Sequence, residues 1–204
     1  MKKILPPARP NRTGNRVKVE TVLDTFKIRK DRPALVFVRG HFLDSMGQRG
    51  KDDRNIYDDA CFLYTPELFE SYNANTNPSF AVRNGKAYAE LITGHYKFYR
   101  GLHRGKYKAL RTFPEGATLQ CTRDGKPSTC SHINIHKGST NPRASDVVWS
   151  EGCLTIPDIQ YSDWQVRLWE AMDSIGQKVI DVVLVENRVA GSFQRWFVAD
   201  KKII

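Results

Sequence analysis

The run ALVFVRG at 34–40, closed by Pro33 and Gly40, restricts the fold more than any other segment. It is rich in β-branched and aromatic residues and bounded by two breakers, so it reads as a buried strand. A buried strand needs a sheet around it, and the chain offers several partners. IYDDACFLY (56–64) and AYAELITGHYKFYR (87–100) read as further strands, separated by the turn-rich NANTNPSFAVRNG (73–85). ATLQCTRDGKPSTCSHINIH (117–136) reads as a hairpin turning at Asp124-Gly125. Its second strand is expected to send His132, Asn134 and His136 to one face and Ile133 and Ile135 to the other.

Helices are few. VKVETVLDTFKI (17–28) places Val19, Val22, Leu23 and Phe26 at helical spacing, with Asp31-Arg32-Pro33 expected to end it. SDWQVRLWEAMDSIG (162–176) repeats Trp164, Leu168, Met172 and Ile175 on one stripe, with Ser162 as the expected N-cap and Gly176 as the stop. QKVIDVVLVE (177–186) and SFQRWFVAD (192–200) then read as a closing hairpin around Asn187. The expectation is a mainly β fold with a few helices. No repeat or low-complexity tract interrupts it. The DSMGQRGKDDRN segment (44–55) reads as a polar loop, and Asp58 and Asp59 as strand-end or loop carboxylates.

The 204 residues suit one domain of moderate size, with 40% hydrophobic residues to build a core. Lys and Arg outnumber Asp and Glu by 32 to 22, a net charge of +10 that favours anionic partners such as nucleic acid, anionic membranes or wall polymers. The first 18 residues carry Lys2, Lys3, Arg9, Arg12, Arg16 and Lys18 and no acid. Pro6, Pro7 and Pro10 interrupt the apolar stretch that a secretory signal peptide requires. Residues 1–16 therefore read as a basic flexible segment and 17–204 as one domain. No run approaches the ~18 apolar residues of a membrane span, and no membrane partner is expected.

The chemistry concentrates in INIHKGST (133–140) and SEGCLTIP (150–157). A cysteine nucleophile needs a base to take its proton and donors for the oxyanion that forms. Cys153 follows Gly152, whose flexibility permits a tight turn with backbone N–H groups aimed at an oxyanion. His136 lies seventeen positions earlier, at a strand end. A carbonyl could orient its imidazole through Nδ1–H as well as a carboxylate does. His103, framed by Gly101 and Gly105, reads either as a groove residue or as a surface histidine; Tyr96, Tyr99 and Tyr107 read as packing. Cys121 and Cys130 flank the Asp124-Gly125 turn and are either a disulfide or two free thiols.

The string IHKGSTNPRASDVVWSEGC resembles the catalytic signature of the L,D-transpeptidase family, a histidine followed at a distance by Ser/Thr-His-Gly-Cys. It is most similar to phage- or prophage-encoded members. The resemblance implies an L,D-transpeptidase-like β-sandwich and a cysteine enzyme acting on peptidoglycan stem peptides. It further implies Cys153 as nucleophile, His136 as base, the Lys137 carbonyl as its orienter, and Gly152 in the oxyanion turn. Ser150, Glu151, His103 and Arg143 are the expected substrate contacts, with Lys137 and Arg143 placed to attract carboxylates. Glu151 stands where the family has a second histidine, and Leu154 and Thr155 stand where an arginine often follows the cysteine. The reaction is expected to be L,D-carboxypeptidase or L,D-endopeptidase hydrolysis, or L,D-transpeptidation, with no cofactor and no metal. The implied setting is synthesis in the cytoplasm and action in the periplasm or cell wall after delivery by phage lysis, a virion or a secretion system. A cognate immunity or delivery partner is compatible with it.

Two other readings use the same residues. His132 and His136 on one strand face, with Cys153, would suit a zinc hydrolase. The +10 charge alone would suit a non-enzymatic wall- or nucleic-acid-binding protein. No RNP string or zinc finger supports the latter, and nucleic acid is not an expected partner.

Overall fold

The structure, a computed structural model, describes residues 15–42, 46, 51–139, 148–190, 193–198 and 201–202. The basic segment 1–14 and Arg143 lie outside the described residues, as does most of the loop 44–50. The described chain is mainly β, with two helices. Helix α1 (Arg16–Thr25) precedes β1 (Ala34–Arg39), β2 (Asp59–Tyr64) and β3 (Phe69–Ala74). Three short strands follow, β4 (Val82–Arg83), β5 (Lys86–Ala87) and β6 (Ala89–Leu91), then the longer β7 (Gly94–His103) and β8 (Tyr107–Thr112). The hairpin β9 (Leu119–Arg123) and β10 (Lys126–Cys130) leads to β11 (Asn134–Lys137) and β12 (Leu154–Ile156). Helix α2 (Asp158–Ser174), β13 (Val179–Ala190), β14 (Phe193–Val198) and β15 (Lys201–Lys202) complete the order.

One large mixed sheet runs β12-β11-β8-β7-β13-β1-β2-β3, and β14 and β15 extend from β13. Strand β1 is buried along its whole length, and its alternation serves two cores. Leu35 and Phe37 join Leu63, Phe98, Leu110 and Ile135 on one face, under Trp164, Leu168 and Met172 of α2. Val36 and Val38 join Phe62, Val183 and Trp196 on the other, over Val19, Val22 and Leu23 of α1. A helix therefore covers each face, which is why the central strands read as unbroken apolar runs. A small sheet, β10-β9-β6, adds Leu91, Cys121 and Cys130 to the α2-side core.

Local details differ from the sequence expectation in instructive ways. Asn15 caps α1 by accepting from the Lys18 N–H at 3.2 Å. The helix ends at Thr25, before Asp31-Arg32-Pro33, because Lys27 turns left-handed (φ +54) and the Ile28 N–H returns to the Leu23 carbonyl at 2.9 Å. Helix α2 begins at Asp158, one turn before the expected cap, so Ser162 lies inside it. Gly176 (φ +64) does close it, with the Gln177 N–H on the Met172 carbonyl at 2.8 Å. The closing hairpin exists, but Asn187 sits in its ladder opposite Trp196, and the pairing runs on to Ala190 opposite Phe193. The segment 87–100 is two strands, β6 and β7, in different sheets. Cys121 and Cys130 are free, buried thiols in contact with each other. Among the described residues no helix is long and apolar enough to cross a membrane.

Candidate functional site

The hairpin β9–β10 forms as expected, with Asp124 and Gly125 both at positive φ. The strand then breaks. His132 adopts φ +59, and regular pairing resumes only at Asn134. The expected face shared by His132, Asn134 and His136 is therefore cut short. His132 is exposed, its Nδ1 beside Ser131 Oγ at 2.9 Å, and only Asn134 and His136 keep the alternation.

Strand β11 runs parallel to β12, with Ile135 opposite Leu154 and His136 opposite Thr155. That register sets Cys153 beside Asn134, whose backbone N–H donates to Cys153 Sγ at 3.4 Å. The thiol in turn donates to the His132 carbonyl at 3.8 Å. His136 is buried, and its Nδ1 lies 2.7 Å from the Lys137 carbonyl. A carbonyl only accepts, so Nδ1 carries the proton and Nε2 holds the lone pair. His136 and Cys153 line one groove of about 340 Å³, which opens beside a second of about 440 Å³ also lined by Cys153.

The β7–β8 hairpin completes the wall around His136. Arg104 (φ +51) and Gly105 (φ +70) make its turn, and this sets His103 directly opposite Tyr107. His103 is buried and stacks on His136, with ring centroids 4.1 Å apart. Its Nδ1 meets the Asn134 amide at 3.1 Å. His103 thus lines the groove and packs on His136, and the surface alternative falls. Tyr107 is more than packing: its hydroxyl lies 3.2 Å from His136 Nδ1.

The turn before Cys153 is built by Ser150. Its hydroxyl donates to the Cys153 carbonyl at 2.6 Å and accepts the Gly152 N–H at 3.0 Å, while its own N–H reaches Ser79 Oγ at 2.9 Å. Ser150, expected as a substrate contact, is buried and committed to the turn. The Gly152 N–H, expected to face an oxyanion, closes that turn instead. Glycine is still required there, because φ is +144 and a Cβ would stand 2.7 Å from the Ala89 carbonyl oxygen. Glu151 is exposed and pairs with Lys86 at 3.0 Å. The Lys137 ammonium lies 3.4 Å from Asp158, away from the carbonyl role of its backbone.

Electrostatics leave both His136 and Cys153 neutral at rest. Burial pushes His136 down to about 3, aided by the neighbouring His103 and opposed by the Lys137 carbonyl. Burial pushes the Cys153 thiol up to about 11, against the Asn134 N–H and the Arg104 guanidinium. The grooves themselves are basic: Lys86, Arg104, Arg111 and Arg123 face one acid, Glu151, in the larger. Arg104, Tyr107 and Asn134 were not singled out as site residues from sequence. Gly105 beside a strand end was the one local signal for the Arg104 turn.

The zinc constellation does not assemble. Among the described residues, the one group of three or more His, Cys, Asp or Glu side chains whose ligand atoms converge is Asp52, Asp58 and Asp59, not His132, His136 and Cys153. No protein-family model matches the chain, and no curated protein matches it.

Proposed function

We propose that the chain is a cysteine peptidase or acyltransferase of the L,D-transpeptidase type, acting on peptidoglycan stem peptides through an acyl-enzyme. The observation that carries this reading is the His136 Nδ1 contact with the Lys137 carbonyl at 2.7 Å, made in the groove that Cys153 lines. It fixes the imidazole as the tautomer whose Nε2 can accept a proton.

In the proposed reaction the Cys153 S–H proton passes to His136 Nε2 as sulfur bonds to the substrate carbonyl carbon. The carbonyl π electrons move to oxygen, which becomes the oxyanion. Collapse breaks the C–N bond, and the imidazolium returns its proton to the leaving amine. Water, or a second amine, then attacks the thioester with His136 again as base, and Cys153 leaves as the thiol. Because both groups start neutral, the charge separation forms during attack rather than before it. The basic groove suits a substrate that carries carboxylates, as stem peptides do. We favour hydrolysis, because a carboxylate at Glu151, where the family has a histidine, changes how an incoming amine would be met. The cell wall is the site of action this reading implies.

The experiment is mass spectrometry of purified muropeptides after incubation with wild type and Cys153→Ala. Loss of terminal D-Ala identifies a carboxypeptidase, split dimers an endopeptidase, and new cross-links a transpeptidase. Intact muropeptides with wild type, or equal turnover by Cys153→Ala, would overturn the proposal.

A further inference from the structure

Asp58 and Asp59 are not peripheral carboxylates. Both are fully buried at the start of β2, and the ligand atoms of Asp52, Asp58 and Asp59 lie within 4.8 Å of one another. Asp59 is held by the Gly40 and Thr76 N–H groups, each at 2.6 Å, one to each carboxylate oxygen. Asp58 accepts the Asp53 N–H through Oδ2, while its Oδ1 is buried with no hydrogen-bond partner among the described residues. A buried acceptor left in that condition destabilises the fold.

A second residue, outside the acidic group, points to what is missing. Asn77 is 2% exposed and directs its amide at the cluster, with Nδ2 donating to Asp52 Oδ2 at 2.8 Å. Its Oδ1, on the same amide, is also buried and has no hydrogen-bond partner among the described residues. One orphaned oxygen therefore belongs to the acidic cluster itself, and the other to an amide hydrogen-bonded to it. Both would be satisfied by a cation, and neither by a further carboxylate.

The charge balance points the same way. Asp52, Asp58, Asp59 and Glu90 face two guanidiniums, Arg39 and Arg54, both of which pair with Glu90. Among the described residues, these four acids, counted as carboxylates, exceed the two guanidiniums by two charges. The donors are all oxygen, which selects a hard cation over zinc or copper. Oxygens with this spread can be bridged by an ion sitting ~2.3–2.6 Å from each, the calcium range. Asp52 is exposed and gives a way in from solvent.

We propose that Asp52, Asp58, Asp59 and Asn77 form a binding site for a hard, oxygen-seeking divalent cation of the calcium class. The site supports the nucleophile loop without touching it. Asn77 bonds through its N–H to Asn75 Oδ1, Asn75 pairs with Thr155 in β12, and Ser79 pairs with Ser150. A cation that ties Asn77 to β2 fixes the strip of chain on which the Cys153 turn rests.

The test uses full-length protein stripped with EDTA and titrated separately with Ca2+, Mg2+ and Mn2+. Calorimetry in two buffers of different ionisation enthalpy reads stoichiometry and proton release, and thermal melting reads stabilisation. The expected result is uptake of a single equivalent of at least one of these ions, with protons released and the melting temperature raised. Asp52→Asn, at the exposed mouth, should weaken that uptake by about tenfold or more while leaving the stripped protein folded. Asp58→Asn should abolish it. No stoichiometric uptake of any of the three at millimolar concentration overturns the site, and so does undiminished affinity in Asp52→Asn. Muropeptide turnover is not the readout, so the result stands apart from the proposed activity.

Discussion

The rings of His103 and His136 stack with centroids 4.1 Å apart and planes inclined by 29°. Two imidazoles this close cannot both be protonated without repulsion, and His103 is one cause of the low pKa of His136. His103→Phe keeps the stack and removes the charge. The His136 pKa should then rise, so the acidic limb of kcat/KM for muropeptide turnover moves to higher pH. An unmoved limb would show that burial alone sets the base, and that His103 is packing.

The same pair makes a stability prediction. His136 titrates near 6.5 when unfolded and at about 3 when folded, because burial opposes its charge. Between those values the unfolded chain binds the extra proton, so stability falls as pH drops from about 6.5 toward 3. Urea midpoints measured at pH 7, 5 and 4 should decline. His136→Gln, which has no titrating group, should flatten that decline.

Cys153 should alkylate slowly at neutral pH. With a pKa of about 11, roughly one thiol in ten thousand is ionised at pH 7. Iodoacetamide labelling of Cys153, followed by peptide mass spectrometry, should accelerate about tenfold per pH unit above neutrality. Arg104→Gln removes a positive charge that favours the thiolate and should slow it further. A fast rate that is flat around pH 7 would mean a preformed thiolate–imidazolium pair and contradict the neutral resting state.

Ser150→Ala separates turn-building from substrate binding. The hydroxyl makes bonds at 2.6 and 3.0 Å inside the turn, and their loss leaves buried groups unsatisfied at about 1–3 kcal/mol. The melting temperature and kcat should both fall while KM changes little. A raised KM with normal stability would restore Ser150 as a substrate contact.

Gly152→Ala should be worse. It places a Cβ 2.7 Å from the Ala89 carbonyl oxygen on a backbone of φ +144. The strain is worth about 1–3 kcal/mol before the clash is counted. Thermal melting should show a clear loss, larger than for Ser150→Ala, and activity should vanish with it.

Much of this was legible in the sequence because it is local. Strand β1, the α2 stripe, the Gly176 stop and the Asp124-Gly125 turn each follow from residues a few positions apart. The likeness around His136 and Cys153 singled out the two residues that the parallel β11–β12 register brings to one groove. What escaped depends on distant partners. Tyr107 and Arg104 reach the site because β8 pairs with β11, a contact no window of sequence contains. The period-2 pattern of 132–136 misled because it holds only while the backbone stays extended, and His132 does not. Ser162 misled because any serine near a helical stripe looks like a cap, while the stripe itself extends back through Tyr161 to Asp158. Asp58 and Asp59 do stand at the start of β2, as IYDD suggests, but nothing in that string reveals that they will be fully buried, with the Gly40 and Thr76 N–H groups closed on Asp59.

Strand β13 lies between β7 and β1 in the large sheet. Without it, β1–β3 and the strands that carry His136 and follow Cys153 would be joined edge to edge, among the described residues, by the Asn75–Thr155 bridge alone. Ala34 meets Asp181, so this join spans most of the chain. Contacts so remote in sequence close late and slowly. On the ribosome, β1 through β3 therefore wait with an open sheet edge until Asp181–Glu186 emerge, and a chain stalled before that point exposes the edge to aggregation or to a chaperone.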